Sequence, residues 1–229
     1  MPDFTGCTHL AVMARGLVGL LDPDGQTDLV RHGEAHNKKV SFGGIDFNRH
    51  LTPTGLKQVR YLGTKIAKNN YDLAVTTAAP RAIQTLFGAL VEDHPPEKIP
   101  PIHIASGSQL YGPSNPEELA EFFRVADKLG HSRYGEYTTN ENLHRLRVWD
   151  HFAMQTLEAL QDIPKLGTAK RIFLSGHGLL GSCVAEAILA VYTGGSISNE
   201  DRRIIYDTEV PLCGVFEISK AGVKVKTYI

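Results

Sequence analysis

The sequence predicts an α/β protein: three α/β/α layers around a mostly parallel central sheet, with a helical insertion over about residues 106–165 beside the candidate site. Two observations carry that expectation. Short apolar runs alternate with amphipathic segments from residue 27 onward, and no strand pattern interrupts residues 106–165. At 229 residues the chain suits a single domain, 1–229, that buries enough apolar surface to need neither disulfides nor metal.

Residues 1–26 form an N-terminal extension, read either as a helix packed on the domain or as a poorly ordered segment, and "DPDGQ" turns the chain into its first strand. "TDLVRHGE" is a short buried strand ending in a polar turn. "LTPTGLKQVRYLGTKIAKNN" is a helix, with Thr52 as its N-cap and Pro53 at its first position. A strand "DLAVTT", a helix "APRAIQTLFGALVED" capped by Thr77 and a strand "IHIAS" follow. The insertion holds two helical segments joined by "GHSRYGEYTTN", a length that suits a lid or cap. "RIFLS" and the helix after "GHG" resume the alternation, "TGGSISNEDRRIIYD" reads as a polar loop, and "GVFEISKAGVKVKTYI" closes as a hairpin.

Composition excludes several classes of partner. Lys plus Arg (24) nearly balances Asp plus Glu (25), so no global basic field draws the chain to nucleic acid. "HLAVMARGLVGLL" is short, carries Arg15 and lacks a basic leading region, which fits neither a membrane span nor a signal peptide. Three cysteines read as reduced thiols, and the expected compartment is the cytoplasm.

Three strand ends carry chemistry. Arg31, His32, Gly33 and Glu34 stand where the first strand ends, where α/β sheets expose residues to ligands; the bland alternative is a polar turn with an Arg31–Glu34 ion pair. Arg81 lies on the first turn of a helix, a site that favours anions, so its charge makes sense if both share a phosphate. Ser175, Gly176, His177 and Gly178 again join a strand to a helix whose N–H groups would face an anion, and the glycines allow a sharp turn.

Taken in order, "LVRHGE", "LTPTG", "PRAIQT" and "SGHG" resemble the motifs of the histidine phosphatase superfamily, the phosphoglycerate mutase-like proteins, over roughly residues 27–192. "LYGPSNPEEL" looks closer to the short SixA-like phosphohistidine phosphatases. The resemblance implies that His32 is the nucleophile that becomes phosphohistidine, with Arg31, Arg81, His177 and Gly178 around the phosphoryl group and "LTPTG" structural. It implies no cofactor and no metal, and a substrate that is a phosphorylated small molecule or a phosphohistidine protein. Independently of any resemblance, a nitrogen nucleophile must be neutral, and Arg31 and Arg81 disfavour the imidazolium form of His32. Planar guanidinium forks also suit phosphoryl oxygens.

Some positions depart from the family pattern. Asn37 comes one residue early for a phosphate contact, and Lys38 and Lys39 follow it. Gln109 stands near the place of the usual proton donor, leaving Glu117 and Glu118 as candidates against a reading as ordinary first-turn charges. A weak or missing acid favours good leaving groups such as phosphohistidine, acyl phosphate or aryl phosphate. "HGEAH" lacks the Glu after the first His that a zinc HExxH motif needs.

The expected activity is hydrolysis through a phosphohistidine on His32. A phosphoglycerate mutase-like isomerase is the neighbouring alternative. Gly176, Gly178 and Gly181 also have the GxGxxG spacing of a nicotinamide site, which needs an acid at the end of the next strand, whereas Glu200 and Asp201 stand in the polar loop before any strand.

Overall fold

The computed structural model describes residues 7–36, 48–92, 94–105, 117, 120 and 148–228. Among them, β1 (Gln26–Arg31), β2 (Leu73–Thr77), β3 (Ile102–Ala105), β4 (Arg171–Gly176), β5 (Val215–Ser219) and β6 (Gly222–Lys226) form one sheet in the order β3-β2-β4-β1-β5-β6. The pairs β1–β4, β2–β4 and β2–β3 are parallel, while β5 runs antiparallel to β1 and β6 to β5. The mostly parallel expectation therefore holds for four strands, and the C-terminal hairpin makes the sheet mixed. A hairpin needs only a tight turn to reverse direction, whereas each parallel step requires a crossover.

Helices cover both faces. Side chains alternate along each strand, so Leu29, Leu73, Val75, Ile172 and Leu174 enter one core, and Val30, Ala74 and Phe173 enter the other. The first core is closed by α1 (Cys7–Gly16), α4 (Val148–Gln161) and α5 (Leu179–Tyr192), with α6 (Asn199–Asp207) beyond. The second is closed by α2 (Pro53–Ile66) and α3 (Pro80–Leu90) through Val59, Leu62, Ile66, Leu86 and Ala89. Both sheet faces being covered explains why the parallel strands read as unbroken apolar runs.

Residues 7–16 of the N-terminal extension form a packed helix, α1, which buries Leu10 and Ala14 against α4 and α5. Of the 106–165 insertion, residues 117, 120 and 148–165 are described, and there α4 buries Phe152, Leu157 and Leu160 in the first core; the rest of the lid or cap reading lies outside the described residues. The polar loop around Glu200 and Asp201 contains α6, whose N-cap Ser198 accepts from the Asp201 amide. A serine three residues ahead of an acid is a capping signal that the glycines upstream obscured.

"LTPTG" is structural, as expected, and its partner is the loop after β1. Thr52 caps α2 by accepting from the Gly55 amide, and its own amide donates to the Glu34 carbonyl at 2.9 Å. Its hydroxyl donates to the Glu34 carboxylate at 2.6 Å, while the Glu34 amide donates to Gln58 at 2.9 Å. A Cβ on Gly55 would lie 2.0 Å from the Glu34 carbonyl oxygen, so the helix must back away from the site loop if it is added. Gly55→Ala is expected to lower unfolding free energy by about 3 kcal/mol in urea titrations. A loss below about 1 kcal/mol would mean that the loop yields without cost.

Candidate active site

Adjacent sheet positions bring distant residues together. The order β2-β4-β1 sets the carboxyl ends of three parallel strands side by side, so Thr77, Gly176 and Arg31 end next to one another. His32 leaves β1, Arg81 stands on the first turn of α3, and His177 precedes α5. All three are buried, at 7%, 3% and 8% exposure. The helices differ in how they begin: α2 and α6 carry side-chain caps, whereas α3 and α5, which start at the site, have none. Their first turns are thus open toward an anion.

The hydrogen bonds of His32 define its tautomer. Nδ1 lies 2.7 Å from the Gly33 carbonyl, which can only accept, so Nδ1 carries the proton. The Arg81 Nε–H donates to Nε2 at 3.2 Å, so that nitrogen presents a lone pair. Burial chiefly holds the ring neutral, pushing its pKa down to about 3; the Gly33 bond opposes the shift, and the charges of Arg81, Arg31 and Arg49 add to it. The sequence argument credited the arginines, but desolvation is the larger cause.

His177 lies 5.5 Å from His32 between ring centroids, edge to face. Burial again, then the charges of Arg81, His32 and Arg49, hold its pKa well below the ordinary value. Its Nε2 stands 3.0 Å from the Thr77 hydroxyl. Thr77 is therefore not the cap of α3, whose N-cap is Ala79; a side chain 100 residues away in sequence claims the hydroxyl.

Arg31 pairs with Glu209 at 3.6 Å rather than with Glu34, and its Nη1 donates to the Val210 carbonyl at 2.6 Å. The same turn holds the Arg31 backbone, through its amide to Gly214 and its carbonyl to Cys213. Gly178 is needed for a different reason than turning: its φ is −64°, and a Cβ there would lie 2.9 Å from Arg31 Nε. Gly181, by contrast, has nothing within 4 Å of such an atom.

Arg49 is a residue the motif reading missed. Its segment is tied to the site loop by an Ala35–Leu51 bridge and by the His36 amide donating to the His50 carbonyl, and its charge reaches both imidazoles. The available signal was a cation just ahead of "LTPTG", on a stretch that must return to the first loop. Glu117 is helical and exposed, while Asn37, Lys38, Lys39, Gln109 and Glu118 lie outside the described residues.

The dinucleotide reading fails on topology. Glu200 and Asp201 occupy the first turn of α6, and the next strand, β5, runs antiparallel to β1. Asp201 is also engaged with the Val223 amide. The third glycine of the spacing has no close packing to permit.

A three-layer α/β fold thus sets a neutral imidazole lone pair beside a guanidinium group at the carboxyl ends of its parallel strands. The chain belongs to the histidine phosphatase superfamily (branch 1), whose profile matches residues 28–210. Solved structures share the fold at low identity. Phosphoserine phosphatase from Entamoeba histolytica, in complex with 3-phosphoglyceric acid, is 15% identical with a TM-score of 0.52, covering 89% of this chain and 95% of that one. Alpha-ribazole phosphatase from Shigella flexneri is 14% identical with a TM-score of 0.51, over 88% and 95%. Mycobacterial glucosyl-3-phosphoglycerate phosphatase is 12% identical with a TM-score of 0.50, over 88% and 96%. Comparison with curated protein sequences gives no significant match. Among the described residues, no helix is long and apolar enough to cross a membrane.

Gly178→Ala tests the close approach of Gly178 to Arg31. The added methyl pushes on the end of a flexible side chain, so the fold should survive while Arg31 moves. Calorimetry is expected to show inorganic phosphate binding about 10-fold weaker, with a melting temperature close to the parent's. Unchanged phosphate affinity would remove Arg31 from the anion site.

Proposed function

We propose that the protein is a phosphatase that hydrolyses a phosphomonoester or phosphohistidine through a covalent phosphohistidine on His32. The observation that carries the reading is the His32 tautomer: Nδ1–H bound to the Gly33 carbonyl and the Nε2 lone pair turned toward Arg81. As the phosphoryl group enters, Arg81 turns its Nε–H from His32 to a phosphoryl oxygen and frees the Nε2 lone pair. Nε2 attacks phosphorus, the bond to the leaving group breaks, the leaving group takes a proton from water, and Arg31, Arg81 and His177 take the charge of the transferring oxygens. Water then attacks the phosphohistidine, the N–P bond breaks, and inorganic phosphate leaves with His32 neutral again. Gly178 and the first turn of α5 form one wall of this pocket. The substrate is a phosphorylated small molecule or a phosphohistidine protein, and the activity requires no cofactor.

Rapid quenching during turnover of an aryl phosphate should trap a phosphoenzyme that is labile in acid and stable in base. The adduct should be absent from His32→Ala. A wild-type protein that turns over the ester with no such adduct would exclude the covalent route.

A further inference from the structure

We infer that Gln58 is a positioning residue for His32: it holds the Glu34 amide, and so aims the Gly33 carbonyl, on the other side of the same peptide, at His32 Nδ1. Its effect on turnover rests on the phosphatase reading, whereas the geometry stands without it.

The carbonyl that receives the His32 Nδ1–H at 2.7 Å belongs to the peptide joining Gly33 to Glu34. A trans peptide is planar, with its C=O and N–H pointing in opposite directions. The N–H of this one donates to Gln58 Oε1 at 2.9 Å, so a single side chain on α2 fixes where the carbonyl points. The preceding peptide is held from α3. The Gly33 amide donates to the buried Thr85 hydroxyl at 3.2 Å, and Thr85 gives its own proton to the Arg81 carbonyl at 2.7 Å.

Gly33 makes such an anchor necessary. Helix α2 approaches so closely that a Cβ on Gly33 would lie 2.8 Å from the Gly55 carbonyl oxygen and 3.0 Å from Val59 Cγ2. The position therefore takes glycine, which restrains its own backbone least. Without Gln58 the Gly33–Glu34 peptide loses the partner of its N–H and can turn, and the His32 proton loses its fixed acceptor. Gln58 is half-buried, about one helical turn beyond Gly55, so the helix that crowds the glycine also supplies the anchor.

The chemical consequence lies at Nδ1. Arg81 helps to keep Nε2 unprotonated only while its Nε–H faces that nitrogen. Once the guanidinium turns to a phosphoryl oxygen, the Gly33 carbonyl still holds the ring proton on Nδ1. As the N–P bond forms, Nε2 gives its lone pair to phosphorus, the ring becomes positive, and Nδ1–H becomes a charge-assisted donor to that carbonyl. A carbonyl fixed in direction thus favours the phosphorylated ring over the free imidazole. On hydrolysis the N–P bond breaks, the electron pair returns to Nε2, and the proton stays on Nδ1 throughout.

The test uses the whole chain. In proton NMR of nitrogen-labelled protein, the His32 Nδ1–H should appear as a slowly exchanging downfield resonance. It should move upfield or broaden away in Gln58→Met, which fills similar space without an acceptor, and remain in Gln58→Glu, whose carboxylate still accepts. Turnover of an aryl phosphate should fall about 10-fold in kcat in Gln58→Met, with inorganic phosphate bound as in the parent. A methionine variant that keeps either the resonance or the parent's kcat would overturn the assignment. Should that variant fail to fold, hydrogen exchange at the Glu34 amide of the wild type decides: protection supports the anchor and free exchange overturns it. If the wild type forms no phosphohistidine, the phosphatase reading falls, while the resonance still decides the role of Gln58.

Discussion

His32→Ala is expected to lower kcat/KM by about 10⁴-fold or more, because removing a nucleophile leaves only what the surrounding charges achieve alone. A second effect appears in stability. The folded ring takes up a proton only near pH 3, whereas an unfolded histidine does so near 6.5. Between those values the unfolded chain binds the extra proton, so stability is full above about pH 6.5 and falls by up to about 1.4 kcal/mol per unit as pH drops toward 3. The alanine variant lacks this liability. Urea titrations at pH 7 and pH 5 should therefore show a smaller loss on acidification in His32→Ala than in the wild type, and equal losses would contradict a buried neutral His32.

Arg81→Lys separates charge from shape. Arg81 is 3% exposed and donates its Nε–H to His32, so its planar fork lies in the plane that a phosphoryl group bound at His32 would meet. Lysine keeps the positive charge but offers a compact ammonium that cannot serve imidazole and phosphate in the same plane. A loss of about 100-fold in kcat/KM is expected, with a parallel weakening of inhibition by orthovanadate. Wild-type kinetics in the lysine protein would show that charge alone suffices. The same substitution should also disturb the orientation of the His32 ring, visible in its imidazole shifts.

The layers, the parallel strands and the helix starts were legible because side-chain periodicity is a local property. Each strand buried on both faces reads as an apolar run, and Thr52 with Pro53 marks a helix start on its own. Arg31, His32, Arg81 and His177 were legible because α/β strands end on one edge, so residues far apart in the chain fall together once the alternation is recognised. What escaped depends on partners the chain meets only after folding. Thr77 looked like a cap until His177 came within reach across the sheet. Gly178 looked like a turn residue, while its neighbour Arg31 is what forbids a side chain. Arg49 belongs to no recognisable motif, and its segment meets the site loop only after folding, through an isolated β-bridge and the backbone bond from His36 to His50.

Strand β4 lies between β1 and β2, although both precede it in the chain by more than ninety residues. The central strand of the sheet is thus among the last parallel strands to be synthesised, and it separates two elements that have no register with each other until it arrives. A nascent chain emerging from the ribosome holds His32 and Arg81 early, but the sheet register between β1 and β2 is set through residues 171–176. The late docking makes formation of the pocket a long-range folding event, slow relative to the local helices. It also means that His177, the last of the four residues to be made, joins His32 and Arg81 only with the completed sheet.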